Sequence, residues 1–168
     1  MSLLTFCQWI ENTMPATALR DSLWMFDIVE TIHTLGITLV AGTIMLVDLR
    51  LLGMGLKREP LFDVISRIVP WTLWGFAFMV CTGCLLFSAE AVKLYNSPAF
   101  RIKLVLLALA GLNALIFHTT IYRQASQWST APIAPLRARM AGVLSLILWI
   151  CIIAAGRAIA YGPGYDRT

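Results

Sequence analysis

Residues 68–89 run for 22 positions without a charged side chain. At about 1.5 Å of rise per residue, a helix of that length crosses a hydrocarbon layer of about 30 Å. An unclosed segment in lipid satisfies its own backbone only as a helix. Three further stretches share the pattern. Residues 22–52 have a charge-free centre at 31–47, closed by Asp48 and Arg50. Residues 101–122 open on Arg101 and Lys103, and residues 140–160 carry Arg157 in their last turns. These runs predict an all-α fold: a four-helix transmembrane bundle, one integral membrane domain over residues 1–168, with spans at about 22–52, 68–89, 101–122 and 140–160.

Composition points the same way. Apolar residues make up 59% of the chain and charged residues 13%, against about 25% charged in an average soluble domain. The net charge of +4 has no basic cluster interleaved with aromatics. That excludes nucleic acid as a partner and assigns the charge to loops facing anionic lipid. Cys7, Cys81, Cys84 and Cys151 fall largely inside spans, so they are not a secreted disulfide framework. There is no P-loop, nucleophile elbow or zincin motif, which favours a protein that is not an enzyme. The first basic residue is Arg20, so no signal-peptide n-region precedes the first span, which serves as its own insertion signal.

Between the spans the chain reads as short connections. Leu3, Phe6, Cys7 and Ile10 recur at helical spacing and predict a short N-terminal helix in the membrane interface, with Trp9 at headgroup level. Met14-Pro15 breaks it, and Asp21 or Ser22 caps the first span. Gly53, Gly55 and Pro60 mark a turn, with a short amphipathic helix at 61–68. Pro70 then falls in the first turn of the second span, flanked by Trp71 and Trp74 as interfacial anchors. Ser97-Pro98 supplies a cap and a first helical residue, and Gly162-Pro163-Gly164 ends the last span.

Basic residues set the orientation. One side holds Arg50, Lys57, Arg58, Arg67, Arg123, Arg137 and Arg139, and the other Arg20, Lys93, Arg101, Lys103, Arg157 and Arg167, seven against six. The first side is read as cytoplasmic, which makes both termini periplasmic.

Ionisable groups at membrane depth are costly and mark candidate sites. Counted from the cytoplasmic anchors, His33 lies about 22 Å up, Glu30 about 27 Å, Cys81 and Cys84 about 21 and 26 Å, and Arg157 about 27 Å. His118 lies about 8 Å up, with Met45 near its level. Two axial haem ligands must share one height. A depth difference of about 14 Å therefore disfavours haem b held between His33 and His118 and leaves a His118–Met45 pair open. In the periplasmic half, Glu30, His33 and Arg157 share a depth. They form either an internal ion pair with a hydrogen-bonded histidine, or a pocket that binds a metal or cofactor or relays protons, with Asp27, Glu90 and Lys103 at its mouth. Cys81-Thr82-Gly83-Cys84 places two thiols at i and i+3 near His33, a donor set that suits copper. Its small residues also suit close helix packing. Asn113 is a candidate interhelical hydrogen-bond partner.

Three groups of residues carry a family resemblance. Glu30-Thr31-Ile32-His33-Thr34-Leu35-Gly36 precedes Asp48-Leu49-Arg50-Leu51-Leu52-Gly53. Pro70-Trp71-Thr72 precedes Thr82-Gly83 and Leu86-Phe87-Ser88. Phe100-Arg101-Ile102-Lys103 precedes Ala110-Gly111-Leu112-Asn113. Over residues 24–157 the chain resembles an uncharacterised family of small bacterial inner-membrane proteins with four spanning helices, similar in layout to CopD-type copper-resistance proteins. The resemblance implies a four-helix fold in the bacterial cytoplasmic membrane and lends weight to metal or redox roles, but carries no activity and no site residues. Three functions are therefore expected: a periplasm-facing pocket for a metal, cofactor or proton, a cytochrome b-like haem subunit for electron transfer, or a structural anchor that joins other membrane or periplasmic subunits.

Overall fold

A computed structural model describes residues 2–54, 60–122 and 134–161. Its helices are α1 (Leu3–Glu11), α2 (Met14–Asp21), α3 (Met25–Leu51), α4 (Leu61–Ala89), α5 (Ala91–Asn96), α6 (Pro98–Ile116), continued by a π-helical turn at Phe117–Ile121, and α7 (Leu136–Ala160). Four of these helices are long and apolar enough to cross a membrane. Large apolar side chains cover their outer surfaces, among them Leu35, Leu73, Trp74, Val105, Leu115 and Ile150. A water-facing bundle would not leave so much apolar surface exposed, so the chain is a membrane protein whose outer face meets the bilayer.

The ends follow local chemistry. Ser2 Oγ accepts from Thr5 N–H and starts α1, and Ser97 Oγ accepts from Phe100 N–H and starts α6 with Pro98 behind it. Ser22 Oγ accepts from Met25 N–H at the start of α3. Gly53, at φ +73°, takes the left-handed conformation just past α3.

Three elements differ from expectation. Met14-Pro15 ends no more than one helix, because Pro15 also sits at the start of α2, where its missing N–H is harmless. The segment at 61–68 is the first two turns of α4 itself, so Pro70 lies inside that helix. Trp71 and Trp74 are exposed well along α4 rather than at its end. α7 begins at Leu136, behind Pro135 as its N-cap. The expected loop residues Lys57, Arg58, Arg123 and Pro132, and the terminal Gly162-Pro163-Gly164, lie outside the described residues.

Helix pairing can be read from partner numbers. On α3 and α4, His33 meets Thr82, Val40 meets Gly75 and Thr43 meets Thr72. On α6 and α7, Lys103 meets Gly156 and Asn113 meets Ala141. One number rises as the other falls, so both pairs are antiparallel. α3 also packs on α7, whereas among the described residues α4 and α6 have no comparable backbone contact, which leaves that side of the bundle less tightly closed. Val40, Met79, Trp149 and Ile152 form the central core, and Leu51, Ile65, Phe117, Ala134 and Ala138 form another toward the lower end, where α3 stops and α4 begins.

At the upper end α1, α2 and α5 cap the bundle. Cys7 is buried while Leu3 and Trp9 stay exposed, so α1 packs through its cysteine and keeps apolar surface outward. Glu11 joins all three helices: its carboxylate lies 3.6 Å from the Arg20 guanidinium on α2 and accepts from Val92 N–H on α5 at 3.3 Å. A Glu11→Ala variant is expected to leave the four long helices intact and to speed hydrogen exchange at the Val92 amide and along α1. Unchanged exchange there would show that apolar contacts alone hold the cap.

Candidate functional site

The polar groups inside the bundle fall into two clusters separated by the Val40–Met79–Trp149–Ile152 core.

The upper cluster is built on His33. Its Nδ1 lies 2.8 Å from Thr82 Oγ1 on α4. The Thr82 hydroxyl lies 3.1 Å from both Phe78 O and Met79 O, so its proton is committed to the backbone. Its oxygen is then left to accept from a protonated Nδ1, and in the neutral ring that leaves Nε2 with the lone pair. Gly83 makes the approach possible: a Cβ there would stand 3.2 Å from His33 Cε1. Lys103, whose ammonium packs beside Gly156, lies within electrostatic reach of the imidazole. Hydrogen bonds of this kind between membrane helices average about 0.6 kcal/mol. Thr82→Val should cost about that much, read by denaturant titration in mixed micelles. A loss of about 2 kcal/mol or more would mean that Thr82 orders more than one ring.

The other upper candidates sit differently. Arg157 is exposed, donates to Tyr161 Oη at 2.6 Å and lies over that ring at 5.0 Å. Residues four apart share a helix face, so Arg157 turns to its own helix end, and Lys103 is the cation beside His33. Asp27 and Glu30, above His33 on α3, each have interactions of their own. Cys81 and Cys84 are exposed on α4, and it is Thr82 and Gly83, between them, that face His33. Among the described residues, no three His, Cys, Asp or Glu side chains converge as metal ligands.

The lower cluster lines a cavity of about 310 Å³ between α3, α4, α6 and α7. Its walls are apolar, with Leu51, Phe76, Leu107 and Trp149 among them, and its polar groups are Asp48, Thr72, Asn113, His118 and Ser145. His118 stands in the π-helical turn, edge-on to Phe117 and Tyr122 with ring centroids at 5.6 and 5.4 Å. Such turns rotate the following residues out of helical register and are frequent at functional sites. Asn113 Nδ2 donates to Ala141 O at 3.1 Å, the interhelical bond expected of it. Met45 is half exposed and is not part of the lining, so no thioether faces His118 across this cavity.

Asp48 is the residue that the sequence reading used only as a helix anchor. It is 5% exposed, its carboxylate takes a hydrogen bond from the Ser145 side chain, and Oδ2 has no partner among the described residues. Its backbone carbonyl sits 3.4 Å from where a Cβ at Gly142 would be, so α7 packs directly on α3 here. An acid flanked by Val47 and Leu49 was the available signal, but nothing in the sequence shows that its face turns inward.

Fold and polar interior together define a small integral membrane protein with four long apolar helices and buried ionisable groups. The chain belongs to the family described as "Family of unknown function (DUF6644)", whose model matches residues 23–162. No curated protein and no solved structure matches it.

Proposed function

We propose that this is a non-enzymatic protein of the bacterial inner membrane that binds a small ligand within the bilayer, in the cavity lined by Asp48, Asn113, His118 and Ser145. One observation carries the reading: a partly open apolar cavity on which a few polar groups converge. Ligand pockets have this composition, and about 310 Å³ lies at the small end of their range of about 300–1,000 Å³. The cavity favours a small molecule over haem, because the lining has one histidine and no second axial donor opposite it. Seven basic residues against six support reading the lower end as cytoplasmic and both termini as periplasmic. Apolar outer surfaces on all four helices leave room for contact with other membrane subunits as well as lipid.

The His33–Thr82 hydrogen bond with Lys103 nearby supports a second reading, in which the upper cluster is a periplasm-facing pocket. There His33 Nε2 would exchange a proton or, with Lys103 beside it, hold a cofactor.

The test is to extract gently purified protein and measure its absorption spectrum, metal content and released small molecules, beside Ala110→Leu and His33→Ala variants. A stoichiometric small molecule lost in Ala110→Leu and kept in His33→Ala is the expected result. A haem band, or copper that disappears in His33→Ala, would move the site to the upper cluster and revive the copper donors Cys81 and Cys84. A wild type that carries nothing, with Ala110→Leu more stable, would make the cavity a packing defect and leave the structural anchor.

A further inference from the structure

We propose that the cavity selects a lipophilic monocation, a protonated amine on a small apolar body, and that Asp48 is the group that holds it; this rests on the cavity being a ligand site.

The polar inventory of the cavity is asymmetric. Asp48 is buried to 95% by its 5% exposure, and one of its oxygens is satisfied by Ser145. The other, Oδ2, is a buried acceptor with no donor among the described residues. A buried carboxyl group takes a donor, a positive charge or a proton. Arg50 does not supply it. It is buried too, but two residues further on, which turns it to the opposite side of α3, and it is not part of the cavity lining. Asn113 spends an amide proton on Ala141 O. His118 is the other titratable group in the lining, and its ring is packed edge-on to two aromatic rings.

An ammonium N–H would satisfy Oδ2 and neutralise Asp48 at once. The rest of the lining suits an apolar body: Phe76, Phe117 and Trp149 offer aromatic surface, and ring faces also attract a cation. A hard metal cation fits poorly, since such cations take six or more oxygen ligands and the lining offers one carboxylate and a few neutral oxygens, those of Thr72, Asn113 and Ser145. An anion would be repelled. The less tightly packed side between α4 and α6 gives a route from the bilayer, where an apolar amine accumulates.

The experiment titrates 2-phenylethylammonium and its neutral near-isostere 2-phenylethanol into the detergent-solubilised full chain at neutral pH, by calorimetry. The wild type should bind the ammonium at least about tenfold more tightly than the alcohol. Asp48→Asn should lose that preference and keep its affinity for the alcohol, and Ala110→Leu should weaken both ligands. Equal affinities in the wild type overturn the cation proposal while the cavity remains a ligand site. Binding of neither compound overturns both. A preference that survives in Asp48→Asn, or affinities unchanged in Ala110→Leu, places the amine elsewhere and overturns the assignment. The wild-type comparison stands even where a variant does not fold.

Discussion

Gly75→Ala is expected to drive α3 and α4 apart and to cost about 1–3 kcal/mol, the usual range for overpacking a tight contact. A Cβ at Gly75 would stand 2.9 Å from Val40 Cγ2 and 3.4 Å from Leu39 Cδ2. Val40 is fully buried in the central core and β-branched, so its methyl cannot swing away within a helical rotamer. The backbones must separate instead. Alanine's better helix propensity returns at most about 1 kcal/mol and leaves the net effect unfavourable. The Val40→Ala, Gly75→Ala double variant should relieve the clash and recover part of the loss, because the new alanine methyl refills part of the space that the two valine methyls vacate. Denaturant titrations of the four members of the cycle would give a coupling of about 0.5–3 kcal/mol. The His33–Thr82 bond lies about two turns above the contact on both helices, so the separation should also release the imidazole, visible in its nuclear magnetic resonance shifts. A Gly75→Ala variant as stable as wild type, with an unshifted His33 ring, would mean that the two helices do not approach this closely.

What the sequence made legible was height. Run length located the four helices, and the start of α6 was read at the right residues because Ser97-Pro98 is a local signal. Counting along each helix placed His33 level with the Cys81–Cys84 turn and Arg157 level with His33. Thr82 does meet His33, and Gly156 does lie beside Lys103. What counting could not supply was direction about each helix axis, where neighbouring residues differ by about 100°. One residue's rotation exchanges Cys81 for Thr82 as the group facing His33, and Arg157 for Gly156 as the neighbour of Lys103. The apolar runs gave no correction, since in lipid both faces of a helix are apolar and the pattern that orients a soluble helix is weak. Pro70 misled for a related reason. A proline is read as a helix start, yet α4 carries it in its interior and begins at Leu61. Asp48 was overlooked because an acid at the end of an apolar run is ordinarily an anchor, and only the packing of Gly142 and Ser145 against it shows that it is buried.

Asp48→Asn should make the ligand-free protein more stable by about 1–3 kcal/mol, while removing the charge on which selective amine binding depends. The asparagine keeps a carbonyl oxygen for the Ser145 bond and replaces the partnerless Oδ2 with a neutral amide. A neutral orphan in an apolar surround costs less than a charged one. Asp48→Leu tests the same point from the other side. It removes the orphan entirely but strands the Ser145 hydroxyl, so its gain should be smaller unless Ser145→Ala accompanies it. Saturating amine should stabilise wild type more than Asp48→Asn and so narrow or reverse the order, because a ligand that binds only the folded form adds its binding free energy to stability. A residue kept at a cost in the free state and repaid in the bound state marks a binding group, whereas one that serves packing stabilises the free state as well. If Asp48→Asn proves less stable than wild type without ligand, the carboxylate is holding α3 against α7, and its buried oxygen belongs to the architecture of the bundle.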